Sequence, residues 1–491
     1  MDPPEEPHLP STIQAQQLFF IETSQEGAGR LDAKSRHLVR AQARRSASHI
    51  EPWTLQERRQ RNSGSPQSFK SKFKLASWQR PRRSNKQTND YHQDIPIPSL
   101  LPAQLAAVNT LPIPMSLPTQ RILQFCHAGF RTNKFSLNPR GDWMSIATAD
   151  AGLLNAFLST AAVLRNLHLR INDLDAVVHH RQEAIRLINQ RLTVEPGTLS
   201  QQVVAAVAVL VAAEALDDNF ATALIHMRGL SKMIDICGGL ASFDHSPTLQ
   251  RVIIWADFSF SVTWGTPLSF PLVQSLSHPL LRSHILKTET ASQQTTSSPS
   301  NHPDPKTLLL DTLTILQSVS QQITEFPFTG GDPTAIGNTI YVVEYRLLTL
   351  IFSEIGIGYD GNEPFYVAAL LYSILAIRDF PLQAPRHREL IDRLSACLFR
   401  WRELSSLSIG SGLNQCIRLW VLFMGATVSK DSTTRALALQ GISEINSVLG
   451  IVEYEDFESN LKRVLWMDSF CRQHCLRLWD DLESSLSFDS A

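Results

Sequence analysis

Residues 201–216, QQVVAAVAVLVAAEAL, constrain this chain more than any other stretch. Wound as a helix, their centre is apolar on every side, so no face is left for water and the segment must be enclosed by other elements. The longest apolar run, Val203 to Ala213, is shorter than the ~18 residues that cross a bilayer. It reads as the middle of a helical body, and 43% hydrophobic residues in 491 can fill such a core.

The flanking sequence continues helix after helix. Downstream, Ile225, Leu230, Met233 and Ile234 share one face, while Arg228, Lys232 and Asp235 point elsewhere. Gly238-Gly239 ends that helix, because glycine takes the left-handed conformation at little cost. A second apolar helix runs from Leu249 to about Trp264, with Pro267 and Pro271 stopping it. Upstream, the pattern predicts helices at Ser145–Leu169 and, capped by Asp173, through about Thr193, with Ala176, His180, Ala184, Leu187, Ile188 and Leu192 as its apolar stripe. Further helices are expected at Leu308–Phe326, Ile336–Ile355, Pro364–Arg378, Arg386–Leu407, Cys416–Val428 and Thr434–Leu449, and a long one at Tyr454–Leu482. Two stretches interrupt this: Pro-rich residues 91–120, read as an extended linker, and polar residues 286–306, read as a disordered inserted loop, with a domain linker as the alternative. The fold class is all-α, with a large multi-helical domain at 96–491 and a disordered basic arm at 1–95.

A formal net charge of −1 hides an asymmetry: Arg30 to Lys86 holds 16 basic and 3 acidic residues, and the remainder of the chain is correspondingly acidic. A basic arm on an acidic body points to an anionic partner, or to an arm folded back on the body. Within it, Asp32 is placed to cap a short helix near 32–46 that carries Arg36, Arg40 and Arg44 on one face, beside Arg45. Guanidinium groups so spaced can track phosphates. Clusters around Arg58, Arg59 and Arg61, Lys70 to Lys74, and Arg80, Arg82 and Arg83 read as nuclear-import or nucleic-acid patches, with Trp53, Phe69, Phe73 and Trp78 interleaved. A merely solvated basic face is the alternative.

The order of helix, Gly238-Gly239, helix and Trp255-Ala256-Asp257, with His226, Gly229, Leu230, Leu240 and Pro271 in place, resembles the regulatory domain of fungal-specific transcription factors. VVHHRQEAIRLINQRL at 177–192 resembles the same family, as do the segments around Trp420, Phe423 and Gly425 and around Leu465, Trp466 and Leu478-Trp479. The apolar patch Leu18–Ile21 followed by Val39-Arg40 is similar to the N-terminal segment of members that lack a zinc cluster. The resemblance implies transcriptional regulation in the nucleus through a helical regulatory and interaction module. It also implies other transcriptional proteins as partners, a homo- or heterodimer, and DNA contact, if any, through the basic arm. The six-cysteine binuclear zinc cluster usual in the family has no counterpart, since the first cysteine is Cys126 and no Cys-x-x-Cys pair exists.

Little in the sequence suggests chemistry. Gly356 to Gly361 spells G-x-G-x-x-G, but the segment before it reads as helix and lacks the strand that a phosphate loop needs. Cys471 and Cys475 share a helix face with His474 nearby, yet a zinc site would need a further ligand. No Ser-His-Asp grouping, HExxH or P-loop is present, so no enzyme, cofactor or metal is expected. The start, MDPPEEPHLP, lacks the apolar region of a secretory signal, so an intracellular, soluble chain with no membrane partner is expected. A helical scaffold or ligand-sensing cofactor that does not bind DNA, and an enzyme with a helical pocket, stay open as alternatives.

Overall fold

The computed structural model describes residues 111–129, 138, 141–194, 199–273, 305–329, 331–352, 362–404 and 412–489. The helices are α1 (Leu117–Gly129), α2 (Trp143–Thr148), α3 (Ala151–Leu169), α4 (Leu174–Val194), α5 (Gln201–Leu216), α6 (Phe220–Ile236), α7 (Pro247–Trp264), α8 (Pro305–Thr329) and α9 (Pro333–Phe352). They continue as α10 (Glu363–Tyr372), α11 (Arg388–Leu404), α12 (Gly412–Val428), α13 (Ser432–Leu449), α14 (Tyr454–Lys462) and α15 (Asp468–Asp489). Among the described residues there is no strand, and the expected all-α class holds.

Helix α5 is buried from Val203 to Leu216 and lies against α3, α6 and α7, which is the enclosure its composition demands. It starts at Ser200, whose hydroxyl accepts the Val203 N–H. The α6–α7 hairpin turns at Gly238 (φ +90°) and Gly239 (φ +92°), both in the region that side-chain-bearing residues avoid. Helix α7 then crosses to the second half of the body, packing on α9, α11 and the short 3₁₀ turn Pro385–His387. There α10 and α12 form the centre, with Trp420 fully buried against Phe365 and Tyr372. One apolar core runs through both halves.

Several expectations need correction. Ser145–Leu169 is two helices, because the Asp150 carboxylate accepts the Leu153 N–H at 2.8 Å and starts α3 afresh. Tyr454–Leu482 also breaks. Carbonyls freed around 463–465 are taken by the Gln317 amide (3.0 and 2.8 Å) and the Trp420 indole N–H (2.8 Å), while Val464 and Leu465 drop into the core. Residues 91–120 are not extended to their end, since α1 begins at Leu117 with Pro118 in the first turn, where its missing N–H is harmless. Ile225 is 38% exposed and lies off the apolar face of α6. Gly265 (φ +64°) ends α7 before Pro267 is reached. Of the loop expected at 286–306, residues 305–306 already belong to α8; the rest lies outside the described residues.

Helix α9 is long and apolar enough to cross a membrane by length and composition, and about two thirds of it is buried inside the body. It also carries Glu344, ion-paired in the interior.

Candidate functional site

All the arm residues singled out from sequence lie outside the described residues: Arg36, Arg40, Arg44, Arg45, Arg58, Arg59, Arg61, Arg80, Arg82 and Arg83. So do the expected helix near 32–46 and the G-x-G-x-x-G stretch. What the body shows is a set of buried charges tied to the α6–α7 hairpin.

The first set joins α4 to α5. Arg181 meets the buried carboxylate of Glu214 at 3.3 Å and also pairs with Asp217, and the Asn219 amide donates to Glu214 at 2.9 Å. Burial pushes Glu214 up to about 7 in spite of Arg181. The second set hangs on Asp257. Its carboxylate accepts the N–H of Ser269 (3.0 and 3.1 Å) and of Phe270 (3.0 Å), pinning the segment that follows α7. Burial raises it to about 6.

The third set sits on the other side of the same helix, because Trp255 lies two residues from Asp257 and points roughly opposite. The chain after α10 winds into a π-turn, Ser373–Ile377. That turn brings the Ser373 hydroxyl (2.6 Å) and the Arg378 Nε (2.7 Å) onto one oxygen of Glu344, while a second Arg378 nitrogen takes the other oxygen. Asp379, at φ +51°, reverses the chain, and Phe380 stacks on Trp255 with ring centroids 5.5 Å apart. The 3₁₀ turn at Pro385 then directs the Arg386 guanidinium to 4.8 Å from both the Trp255 and Phe380 rings, and Arg378 lies 4.4 Å from Trp255. Arg386 is 1% exposed and is pushed down to about 9, first by burial and then by Arg378. His387 lies T-shaped to Phe380.

None of this is a nucleophilic centre. Ser373 is fully buried and donates its proton to Glu344, and burial pushes the thiols of Cys126, Cys471 and Cys475 up to about 12. Cys471 and Cys475 are fully buried on the inner face of α15, while His474 packs on Phe470 at 4.8 Å. No metal-holding group of His, Cys, Asp and Glu occurs among the described residues.

Buried imidazoles give the body a defined pH response. His226 and His387 are pushed down to about 3 and His180 to about 4, burial being the largest cause in each. A folded value below the ordinary one means their stabilisation is complete above about 6.5 and is lost as pH falls toward 4, at about 1.4 kcal/mol per pH unit per group. Glu214 and Asp257 have the opposite sign, their contribution being lost as pH rises through about 7 and about 6. Three groups against two leave a net loss on acidification. The urea midpoint is expected to fall between pH 6.5 and 4.5, and less steeply in His387→Phe. A midpoint that holds constant over this range refutes the neutral buried imidazoles.

The sequence reading missed Glu344, Arg378 and Arg386. A signal was available, since Glu214 is the lone charge of its apolar helix and Glu344 follows an apolar run with only Arg346 for company, and such residues need partners from elsewhere in the chain.

Residues 132–305 match the family of the fungal specific transcription factor domain, over about a third of the chain. The match covers α2 to α7, with His226, the glycine pair, Trp255 and Asp257, and the helix α4 block. The segments around Trp420 and Trp466 lie beyond it. This is a family of transcription-factor domains and not of enzymes. Neither the curated proteins nor the solved structures compared with the chain give a match.

Proposed function

We propose that the chain, which carries a fungal specific transcription factor domain, regulates transcription in the nucleus, with its helical body as the regulatory and protein-interaction module and its basic arm as the phosphate-contacting element. The family match over 132–305 carries this reading. Charge partition supports it: the arm concentrates basic residues that can release counterions from nucleic acid, and the rest of the chain is acidic. A helical scaffold whose arm serves only for import is the second reading, favoured by the absence of a zinc-cluster cysteine pattern.

Binding of the full-length protein to mixed-sequence DNA across a salt series separates the two. Direct contact gives a steep dependence. Replacing Arg36, Arg40 and Arg44 by alanine then lowers the slope of log K against log salt by about 3, near 0.9 for each phosphate no longer neutralised. If neither protein binds at moderate salt and the variant only loses its nuclear location, the scaffold reading stands instead.

A further inference from the structure

The third buried set does not balance. Glu344 is the carboxylate that faces Arg378 and Arg386, and both of its oxygens are occupied by Arg378, one of them also by Ser373. Among the described residues no carboxylate lies within ion-pair distance of Arg386, and its Nε has no hydrogen-bond partner. The Arg378 Nη1 is likewise unpartnered and buried. Two guanidinium groups thus share one counter-charge inside the protein, and Arg386, even at a depressed value near 9, stays protonated at neutral pH. The Trp255 and Phe380 rings attract the cation but accept none of its N–H donors in their plane. Burial of an ion on these terms is costly, and the penalty is removed by an acceptor of opposite charge.

We propose that Arg386 and Arg378, walled by Trp255 and Phe380, form a binding site for the carboxylate group of a small organic acid. One unit of positive charge is left over, so a monoanion completes the site and a dianion would face Glu344. The planar fork of arginine matches the two oxygens of a carboxylate, and the aromatic walls suit a carbon skeleton over a bare inorganic ion. The site joins α7 to the π-turn and the 3₁₀ turn, so its ligand ties the first half of the body to the second. This assignment stands on the geometry and does not depend on the transcriptional reading.

The test uses the full-length protein and Arg386→Met, melted in buffers of equal ionic strength containing sodium chloride, phosphate, acetate or benzoate. Acetate and benzoate are expected to raise the melting temperature of the wild type saturably by several degrees, with chloride and phosphate ineffective and the variant unresponsive. In carboxylate-free buffer the variant is expected to melt above the wild type, because it lacks the uncompensated charge. A variant that melts lower there means that the guanidinium is already satisfied within the chain, and overturns the site. Equal shifts in both proteins, or a shift reproduced by chloride or phosphate, overturn it too. If Arg386→Met does not fold, acetate titration of the wild type by tryptophan fluorescence decides: a saturable change lost in Trp255→Phe supports the site, and no saturable change refutes it.

Discussion

Glu344→Gln is expected to cost about 3–5 kcal/mol, the size typical of breaking a buried ion pair from one side. The carboxylate is 3% exposed and Arg378 4%, so solvent screens neither. Glutamine keeps the shape and one acceptor but loses the charge, leaving Arg378 and Arg386 as neighbouring buried cations with nothing between them. Urea denaturation at pH 7 should show a lower midpoint at unchanged slope. Arg378→Met in the Glu344→Gln background should recover part of the loss, since one cation is then gone, and the two changes should be strongly non-additive. A loss below about 1 kcal/mol would show that Glu344 is not the counter-charge that holds the π-turn.

Asp257→Ala is the next largest, at about 2–4 kcal/mol, because it strips the acceptor from the buried Phe270 amide and frees the segment that Phe270 anchors. Asp257→Asn retains an acceptor and should recover roughly half. The pH dependence gives a check that packing alone would not. Asp257 is raised to about 6 in the fold from 3.8, so its contribution is full below about 4 and fades as pH rises through 6. The Asp257→Ala deficit in the urea midpoint should therefore be larger at pH 5 than at pH 7.5. Equal deficits would mean that the carboxylate is not strained by burial.

The sequence shows the hairpin and not the charges behind it, for a physical reason. Gly238-Gly239 and the apolar spacing of α6 and α7 are local properties, and each residue states its own conformational preference. The core helix α5 is legible for the same reason, having no polar face to offer. By contrast, the break at 463–467 is decided by tertiary partners, the distant Gln317 and Trp420 that satisfy the carbonyls of an interrupted helix, while the break at Asp150 is a local side-chain cap that the continuous apolar spacing across it conceals. The cluster on Trp255 is less legible still, since Glu344 and Arg378 are 34 residues apart and Phe380 comes from beyond another helix. Only the place of Glu344 inside a largely apolar helix hinted at it. The arm is the reverse case, readable as a charge pattern in sequence and lying outside the described residues.

The crossing of α7 has a consequence for heredity as well as for stability. The segment that matches the family ends at residue 305, yet the outer side of α7 and the segment after it are completed by later sequence: Trp255 by Phe380, Phe258 by Tyr341 at 5.7 Å, Arg251 by Asn338, and the Val273 N–H by the Tyr341 hydroxyl at 2.7 Å. Cut out alone, that segment would present a row of aromatic rings and a buried arginine to water. It cannot be transplanted between proteins as a cassette. Whatever recombination carries it must carry its C-terminal cover, or find another that fits.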